Sequence, residues 1–360
     1  MIRLFKNIFL FSLVAGVLSA TAQVTSSSPY SQFGLGDLKR SLLPQNRGMG
    51  GLSMGIRKPG LYDNINLANP ASYSTLGLTT FDVGASMDLR KLSKSGMSGK
   101  GQFNSTLSHI TFGIPVNKFS ALSFGLVPYS DLGYQFKNAG LIDTNKVRYV
   151  YEGEGGMSKA YMGYGFRLNK NLSLGLNVAY LFGSLKENRA LEFVDLEGLA
   201  TSFNSRTQFQ QSIGGLSFDY GLQYSTNLND KTKLIIGYAG NSGNELNSRR
   251  NIVTTRYKII KDGTGKEIEQ AAADSTLFSQ GTKRKINMPL THTAGFAIEK
   301  TNAWLIGADI SYSRWSDYRE GTSNPGLNDS YGLVLGGQFT PDATSVSNYF
   351  KLVDYRFGIK

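Results

Sequence analysis

The residues able to act as nucleophile, base or metal ligand are few in this chain. Its histidines are His109 and His292, and it contains no cysteine, which excludes disulfides, thiolate metal sites and a multi-histidine metal centre. Ser108 precedes His109, but neighbouring residues of a strand face opposite sides, so the pair predicts no nucleophile–base dyad. An esterase is the enzymatic alternative. We predict a protein that is not an enzyme and has no cofactor or metal.

Two glycine clusters invite comparison with phosphate-binding loops. Gly48-Met49-Gly50-Gly51 and Gly153-Glu154-Gly155-Gly156 both lack the Lys-Ser/Thr ending and the strand–loop–helix context of such loops. We predict no nucleotide site. Glycine inside a strand often marks a bulge, so we expect a bulge or kink at 153–156.

The composition indicates which elements must carry these residues. The chain has 360 residues with 42 Gly and 12% aromatic residues, and 18% of its residues are charged. Soluble domains average ~25% charged residues. Because long all-β barrels form single domains of this size, the counts favour one Gly- and Tyr-rich unit.

Residues 1–22 have the pattern of a secretory signal peptide. Arg3 and Lys6 precede the apolar run 8–18, and Ala20-Thr21-Ala22 fits the small-x-small cleavage rule. The run is shorter than the ~20 apolar residues of a membrane-spanning helix, so a permanent anchor helix is the less favoured alternative. We predict export, with a mature chain that begins at Gln23.

The rest of the chain alternates between apolar and polar residues. In a strand, this period of two gives one apolar face and one polar, Gly-rich face. The clearest apolar stripes are Phe81-Val83-Ala85-Met87-Leu89, Leu172-Leu174-Leu176-Val178-Tyr180-Phe182, Leu216-Phe218-Tyr220-Leu222-Tyr224, Trp304-Ile306-Ala308-Ile310-Tyr312 and Val353-Tyr355-Phe357-Ile359.

A soluble sandwich would produce the same alternation, but three features favour a membrane barrel. The stripes run for about 10 residues, the length of a bilayer-crossing strand. Aromatic residues such as Tyr180 and Phe182 lie at stripe ends, where interfacial girdles form, and the polar face suits a water-lined lumen. Strands in lipid must pair in a closed barrel. We therefore predict an all-β, transmembrane antiparallel β-barrel in the bacterial outer membrane.

Turn-forming residues divide the barrel region, 78–360, into strands. Short Asn-, Asp- or Pro-containing turns alternate with long polar loops, as in outer-membrane barrels. The predicted strands are 78–90, 104–115, 119–136, 146–168, 172–185, 206–225, 232–240, 283–300, 303–318 and 329–340, with an eleventh beginning near 351; the predicted long loops are 91–102, 137–145, 186–205, 241–282 and 319–328. Because single-chain bacterial barrels have even strand numbers, we expect either a miscounted small barrel or, preferably, a fragment that lacks C-terminal strands.

The charge distribution raises two binding hypotheses. The formal net charge is +12, but export argues against a nucleic-acid partner. Much of the surplus lies in or beside the predicted loop 241–282, at Arg249, Arg250, Arg256, Lys258, Lys261 and Lys283-Arg284-Lys285. These residues either bind phosphates of outer-membrane lipids or form a solvated loop.

Acidic residues on the polar stripes are candidate lumen charges. Asp82, Asp219 and Asp309 are the main candidates, with Asp88 and Asp354 beside them. They would either shape a hydrated lumen or pair with the basic residues Lys39, Arg40, Arg47, Arg57 and Lys58 of the preceding segment.

The segment before the first strand carries a resemblance to a known family. It contains Ser28-Pro29-Tyr30-Ser31, Asn46-Arg47-Gly48-Met49-Gly50-Gly51 and Asn69-Pro70-Ala71, and Pro128-Tyr129-Ser130 with Gly133-Tyr134 follows in the barrel. In order and position, these motifs resemble the FadL/TodX family of outer-membrane transporters for hydrophobic compounds. An ordinary surface turn is the alternative for Asn69, Pro70 and Ala71.

The resemblance implies a fourteen-stranded barrel, of which about eleven strands are present, with residues 23–77 as an N-terminal hatch. It implies passive uptake of a hydrophobic small molecule, such as a long-chain fatty acid, by hatch rearrangement and lateral exit through the wall. The implied partners are outer-membrane lipids and the ligand. The family also includes non-transporting subunits of secretion machinery. The alternative function is therefore a structural barrel that binds other envelope proteins in a secretion or assembly complex.

Overall fold

A computed structural model describes residues 28–57, 64–94, 97–193, 203–261 and 263–360. The predicted signal peptide, residues 1–22, lies outside these ranges. Within the described residues, no helix combines the length and the hydropathy that crossing a bilayer requires.

Strands make up most of the described chain. They are β1 (Asp37–Leu38), β2 (Thr80–Lys94), β3 (Met97–Asn117), β4 (Ser120–Ile142), β5 (Asn145–Arg167), β6 (Leu172–Phe193), β7 (Asn204–Asn227), β8 (Thr232–Asn241), β9 (Glu245–Tyr257), β10 (Ile259–Lys261), β11 (Glu267–Glu269), β12 (Asp274–Asn287), β13 (Thr291–Lys300), β14 (Trp304–Ser313), β15 (Arg319–Glu320), β16 (Ser330–Phe339) and β17 (Tyr355–Ile359). Short α-helices span Pro44–Gly48 and Tyr349–Leu352, and 3-10 helices span Pro29–Gln32, Pro70–Thr75 and Trp315–Asp317.

Eleven antiparallel strands form a continuous wall. Their order is β2-β3-β4-β5-β6-β7-β8-β13-β14-β16-β17. Beyond the ends of β8 and β13, the wall is continued by β9 and β12. These two strands pair with each other, and β9 also pairs with β7. Among the described strands, no ladder joins β2 to β17. The all-β antiparallel prediction is confirmed. Most predicted strands correspond to one strand of the wall, whereas the predicted strand 283–300 is divided between the end of β12 and β13.

The two faces of the wall differ in the way the stripes predict. On β6, Leu176, Val178 and Tyr180 are 42–51% exposed, whereas the alternate residues Asn177 and Ala179 are buried. The apolar stripes therefore face outward, as they must in a transmembrane barrel.

The inward face is covered by protein rather than lined by water. Its small residues pack against the chain that precedes β2, and two apolar clusters lie between that chain and the wall. One joins Leu43, Ile65, Leu67, Tyr73 and Leu76 to Ala121, Val127, Tyr161 and Ala179. The other joins Met49, Leu52 and Ile56 to Ala297, Leu305 and Val334. The expected water-lined lumen is wrong along these strands, because small inward residues leave room for another segment of chain.

Several local predictions are also wrong. Strands extend into the predicted loops 91–102, 137–145 and 186–205, because β2 runs to Lys94, β4 to Ile142 and β6 to Phe193. The predicted loop 241–282 contains β9, β10, β11 and the first part of β12, because a hairpin outside the bilayer needs no apolar stripe. Of the bulge or kink predicted at 153–156, the bulge is absent from β5, which pairs with β6 without a register shift; the backbone irregularity there is the positive φ (+120°) of Gly155. The shift lies instead in the neighbouring strand β4, between Pro128 and Ser130.

Candidate functional site

The chain before β2 lies inside the wall. We call residues 43–57 and 64–76 the inner segment. A Cβ on Gly113 of β3 would lie 2.8 Å from Leu76, and one on Gly358 of β17 would lie 2.2 Å from the backbone of Met49. Because the inner segment touches strands from β3 to β17, the wall curls around it.

Asp309 of β14 anchors the inner segment. Its carboxylate Oδ2 accepts hydrogen bonds from the backbone N–H groups of Ser53 (2.7 Å) and Met54 (3.1 Å), and from the Ser53 hydroxyl (3.2 Å). The side chain is buried. A carboxylate that accepts several N–H bonds in a dry site makes strong, charge-assisted contacts. Asp309 therefore fixes the turn at 53–54 to the wall.

The carbonyl oxygen of Met54 is a second anchor. It accepts hydrogen bonds from Gln223 Nε2 of β7 (2.8 Å) and Asn69 Nδ2 (3.2 Å). Gln223 also donates to the Ile56 carbonyl, at 3.0 Å. Buried polar groups are costly without partners, so this network ties two parts of the inner segment to one strand.

Glycines allow the inner segment to approach the wall backbone. A Cβ on Gly237 would lie 1.9 Å from the Met54 carbonyl oxygen, and one on Gly175 would lie 2.3 Å from the Pro70 carbonyl carbon. Real Cβ atoms do not approach other atoms this closely, so any other residue would displace the segment. Glycine in a strand commonly marks such a close approach.

Asn69, Pro70 and Ala71 form the start of a buried 3-10 helix, Pro70–Thr75. Asn69 caps it by accepting a hydrogen bond from the Ala71 N–H (3.2 Å), and its amide also donates to the Leu222 carbonyl of β7 (3.3 Å). Pro70 occupies the first helical position, where its fixed φ is favourable. All three residues are buried.

The other candidate lumen charges have partners within the wall. The Asp82 carboxylate lies 3.0 Å from His109 Nε2, and Asp219 accepts from Lys159 Nζ at 2.5 Å. The pairing with basic residues of the preceding segment, one of the two interpretations left open above, is not among the salt bridges of the described residues, where Asp354 pairs with Arg356 instead. Arg40 bonds a hydroxyl and Arg57 bonds backbone carbonyls and a hydroxyl instead. Lys58 lies outside the described residues.

Ser108 and His109 do not face opposite sides as predicted. The hydroxyl of Ser108 lies 3.3 Å from His109 Nδ1, because the register of β2 with β3 shifts at Gly84 and Ala85. Both side chains are buried, and a Cβ on Gly84 would lie 2.4 Å from the His109 ring. Ser108 is therefore the extra residue of a β-bulge in β3, and its contact with His109 lies in a buried part of the wall.

The wall separates between β3 and β4. These strands pair from Asn117 with Ser120 up to Ile110 with Leu126, and no described residue of β4 beyond Leu126 pairs with β3. The β4 edge is instead covered by residues 28–39, which we call the edge segment. Its β1 pairs Asp37 with Asp131 and Leu38 with Ser130.

The edge segment follows β4 through further backbone contacts. Ser28 N–H donates to the Gly133 carbonyl (2.9 Å) and Lys39 N–H donates to the Tyr129 carbonyl (2.8 Å). Ser31 Oγ accepts from the Gly133 N–H at 3.1 Å. The Pro-Tyr-Ser…Gly-Tyr stretch is therefore the part of β4 that receives the edge segment.

A large apolar cluster lies inside the barrel next to this edge. It contains Leu35 of the edge segment, Leu132 and Tyr134 of β4, and Met157, Leu181, Leu185, Ile213, Leu246, Ile286, Met288 and Tyr318. Most of its members are residues of wall strands, whereas Leu35, Met288 and Tyr318 belong to segments that lie between or against those strands. The barrel interior is thus apolar beside the wall separation and polar at the anchors of the inner segment.

Sequence reasoning missed Gln223 and Leu35. Gln223 had a recognisable signal, since it is a long amide between two small residues of the inward face of β7, Gly221 and Ser225. Leu35 had none, because its burial depends on the position of β4.

Comparisons with solved structures found several chains that are similar to this one. It is 15% identical to the toluene transporter TodX of Pseudomonas putida, covering 89% of this chain and 82% of that one with a TM-score of 0.48. For the toluene transporter TbuX of Ralstonia pickettii, the identity is 13%, the coverage 83% and 82%, and the TM-score 0.47. For a Pseudomonas aeruginosa FadL homologue, the values are 13%, 84% and 78%, and 0.46.

Two further comparisons bear on the family. The search of curated proteins found no match. The model of the BamG family matches residues 1–360, and the chain therefore belongs to the BamG family.

Proposed function

We propose that this protein is an outer-membrane channel for the passive uptake of hydrophobic small molecules, such as long-chain fatty acids. Residues 23–77 act as its hatch, and the ligand leaves sideways between β3 and β4. The observation that carries the proposal is the apolar interior cluster, which reaches the β4 edge through Leu132 and Tyr134. There the edge segment takes the position that β3 would otherwise fill.

The proposed path has three steps. A hydrophobic molecule binds at the extracellular loops and enters the interior cluster, since apolar surface favours leaving water. The edge segment then moves away from Ser130 and Asp131 of β4. The molecule exits through the opened wall into the bilayer, which needs no energy source because the transfer is between apolar environments.

A reversible cross-link tests the moving step. Leu38 and Ser130 are paired neighbours, and the chain has no native cysteine, so Leu38→Cys with Ser130→Cys gives a single disulfide. Oxidation should reduce uptake of radiolabelled oleate and toluene by cells to the level of a deletion strain, and reduction should restore it.

The matched control joins two strands that stay paired in every step. Thr293 and Ser311 are neighbours in β13 and β14, and the Thr293→Cys and Ser311→Cys pair should leave uptake unchanged. Normal uptake by the oxidised edge-segment variant would contradict the hatch mechanism.

A different observation favours a second candidate function. The inner segment is anchored by buried Asp309 and Gln223 and lies against glycine backbones, an arrangement suited to a permanently filled barrel. Such a barrel would serve a secretion or assembly complex by binding other envelope proteins.

The two candidates predict different results in a deletion strain. The channel predicts loss of uptake of oleate or toluene, whereas the partner-binding barrel predicts normal uptake together with stable co-purification of other envelope proteins. Normal uptake without such co-purification would contradict both candidates.

A further inference from the structure

The outward face of the wall has a groove where β8 ends and β9 begins. β7 pairs with β8 up to Asn241 and with β9 from Asn247 onward, so the wall is interrupted between these residues. A cavity of about 440 Å³ lies at the interruption, and its lining includes Tyr180, Leu216 and Phe218. These side chains belong to the outward apolar stripes of β6 and β7. We call this cavity the outer groove.

Basic residues lie directly beyond the outer groove. Outward-facing Phe182 of β6 pairs with Gly214 of β7, and Gly214 pairs with Asn247 of β9. In the next outward-facing row, Ser212 of β7 pairs with Arg249 of β9. Arg249 in turn pairs with Lys283 of β12. Arg249 and Lys283 therefore face outward, one row beyond an aromatic residue that ends a lipid-facing stripe.

The charges of this row are not balanced. Lys285 is neutralised by Glu245, whose carboxylate accepts from its Nζ at 2.5 Å. Within the described part of the chain, neither Arg249 nor Lys283 forms a salt bridge, and both are exposed. Like charges directly opposite each other on one face of a sheet are destabilising. An anion between the two would remove this cost.

The outer groove and the basic row are continuous. A second, open cavity of about 1280 Å³ is lined by the basic residues Arg249, Lys283, Arg284 and Lys285 and by one carboxylate, Glu320, which accepts a hydrogen bond from Gln211. It shares Tyr180, Gly214 and Asn247 with the outer groove. A groove with an apolar side, formed by Leu216 and Phe218 on the lipid-facing surface, thus leads to a predominantly basic site one row beyond the lipid-facing stripe. This is the shape and polarity of an anionic lipid.

We propose that this face binds a phosphorylated lipid of the outer leaflet. An acyl chain lies along Leu216 and Phe218 in the outer groove, and the phosphate lies between Arg249 and Lys283. Arginine and lysine near a membrane surface attract anionic headgroups, and arginine can bind phosphate oxygens with two parallel N–H bonds. The site is on the opposite side of the wall strands from the barrel interior, so it does not depend on the transport proposal.

Lipid retention by the full chain in nanodiscs tests the site. The discs contain phosphatidylcholine with spin-labelled lipid A as the probe, and the immobilised lipid is measured by electron paramagnetic resonance. Arg249→Ala with Lys283→Ala should weaken retention about 30-fold, since each basic residue near a lipid surface contributes roughly fivefold. The matched control is Lys146→Ala with Lys258→Ala. It removes the same charge at the start of β5 and directly after β9 and should leave retention unchanged.

A second variant tests the groove without changing the charge. Asn247 lies where the two cavities meet, and Asn247→Trp should fill that junction and displace the lipid, although ³¹P NMR should still detect inorganic phosphate binding at the basic row. Heat-modifiable migration on gels confirms that each variant forms a barrel.

Three outcomes would overturn the proposal. One is equal retention of lipid A by wild type and the Arg249 and Lys283 double variant. Another is an equal loss of retention in the Lys146 and Lys258 control variant, which would indicate general charge attraction. The third is full retention by Asn247→Trp with displacement of the lipid by inorganic phosphate, which would indicate an ion site only.

Discussion

The inner and edge segments are neighbours in sequence but are attached to the wall in different ways. Buried side chains such as Asp309 and Gln223 donate to or accept from the backbone of the inner segment. The edge segment is held by a short backbone ladder at Ser130 and Asp131 of β4, together with the buried Leu35 side chain and the Ser31 hydroxyl. Backbone groups of a ladder can exchange partners with another strand or with water, whereas a buried carboxylate cannot be left without its donors.

If the proposed hatch rearrangement follows this difference, it involves residues 28–39 and leaves residues 43–57 and 64–76 in place. Each of the following variants perturbs one segment. Limited proteolysis measures the accessibility of both segments, and urea unfolding in lipid vesicles measures the stability of the barrel.

The largest effect is expected at the closest contact of the inner segment. Gly237→Val would force a Cβ to 1.9 Å from the Met54 carbonyl oxygen, and overpacking of this kind should cost at least about 3 kcal/mol. We expect loss of the heat-modifiable folded band and cleavage within the inner segment. Gly263→Val is the control, because a Cβ there has no heavy atom within 4 Å; an equally disrupted control would indicate a general valine effect.

Removal of the Asp309 carboxylate should be the next most severe change. Asp309→Ala leaves the buried N–H groups of Ser53 and Met54 without their acceptor, which should lower the free energy of unfolding by about 3 kcal/mol. Asp82→Ala should cost roughly 1 kcal/mol, because its single contact to His109 is partly exposed. If the two variants lose equal stability, Asp309 is not a special anchor.

Asn69 and Gln223 should behave as one unit. Both donate to the Met54 carbonyl, so Asn69→Ala and Gln223→Ala should each cost about 2 kcal/mol. In the double variant we expect a deviation from additivity of about 1 kcal/mol, as for residues that share a hydrogen-bond network. Additive losses would show that the two amides act independently.

The edge segment should detach without loss of the barrel. Gly36 has a φ of +87°, and a Cβ there would lie 2.6 Å from the Asp131 carbonyl oxygen of β4. Gly36→Ala should therefore expose the edge segment to protease while the inner segment stays protected. Gly34→Ala is a close control, since Gly34 also has a positive φ (+61°) but its nearest atom is 3.7 Å away. Equal protease sensitivity would attribute the effect to backbone strain of about 1 kcal/mol rather than to contact with β4.

How far the sequence predicts these features depends on whether lipid constrains them. The stripes at 172–182 and 216–224 predict strands well, because lipid requires one apolar face. The hairpin of β9 and β12 was missed because charged residues occupy its outward face beyond the bilayer, as at Arg249 and Lys283.

The partners of individual side chains were harder to predict from the sequence than the positions of the strands. Asp309 was identified as an inward charge from its parity alone, but the basic residues expected as its partners are not those it contacts. Its partners are backbone amides at 53–54, and no residue type at those positions signals an amide donor. The edge segment was equally hidden, since its contacts with β4 join residues about 100 positions apart, as in the Ser31–Gly133 bond.

Acidification should loosen the turn at 315–318, which lies against the edge segment, and leave the inner segment unaffected. Hydrogen bonds from the Tyr312 hydroxyl and from Ser316 lower the pKa of Asp329 to about 2. This exposed carboxylate lies in the connection before β16 and holds the turn that carries Trp315 and Tyr318, whose hydroxyl faces Gly34 of the edge segment.

Because the folded pKa of Asp329 is below the ordinary value of about 3.9, its contribution to stability is complete above that pH and is lost as the pH falls through about 2. In a Trp304→Phe background, Trp315 is the one remaining tryptophan, and its fluorescence should change between pH 4 and pH 2. Asp329→Asn should abolish this transition, whereas Asp317→Asn should retain it. A transition that persists in Asp329→Asn, or simultaneous cleavage of the inner segment, would show that acid acts on the whole barrel rather than on the turn at 315–318.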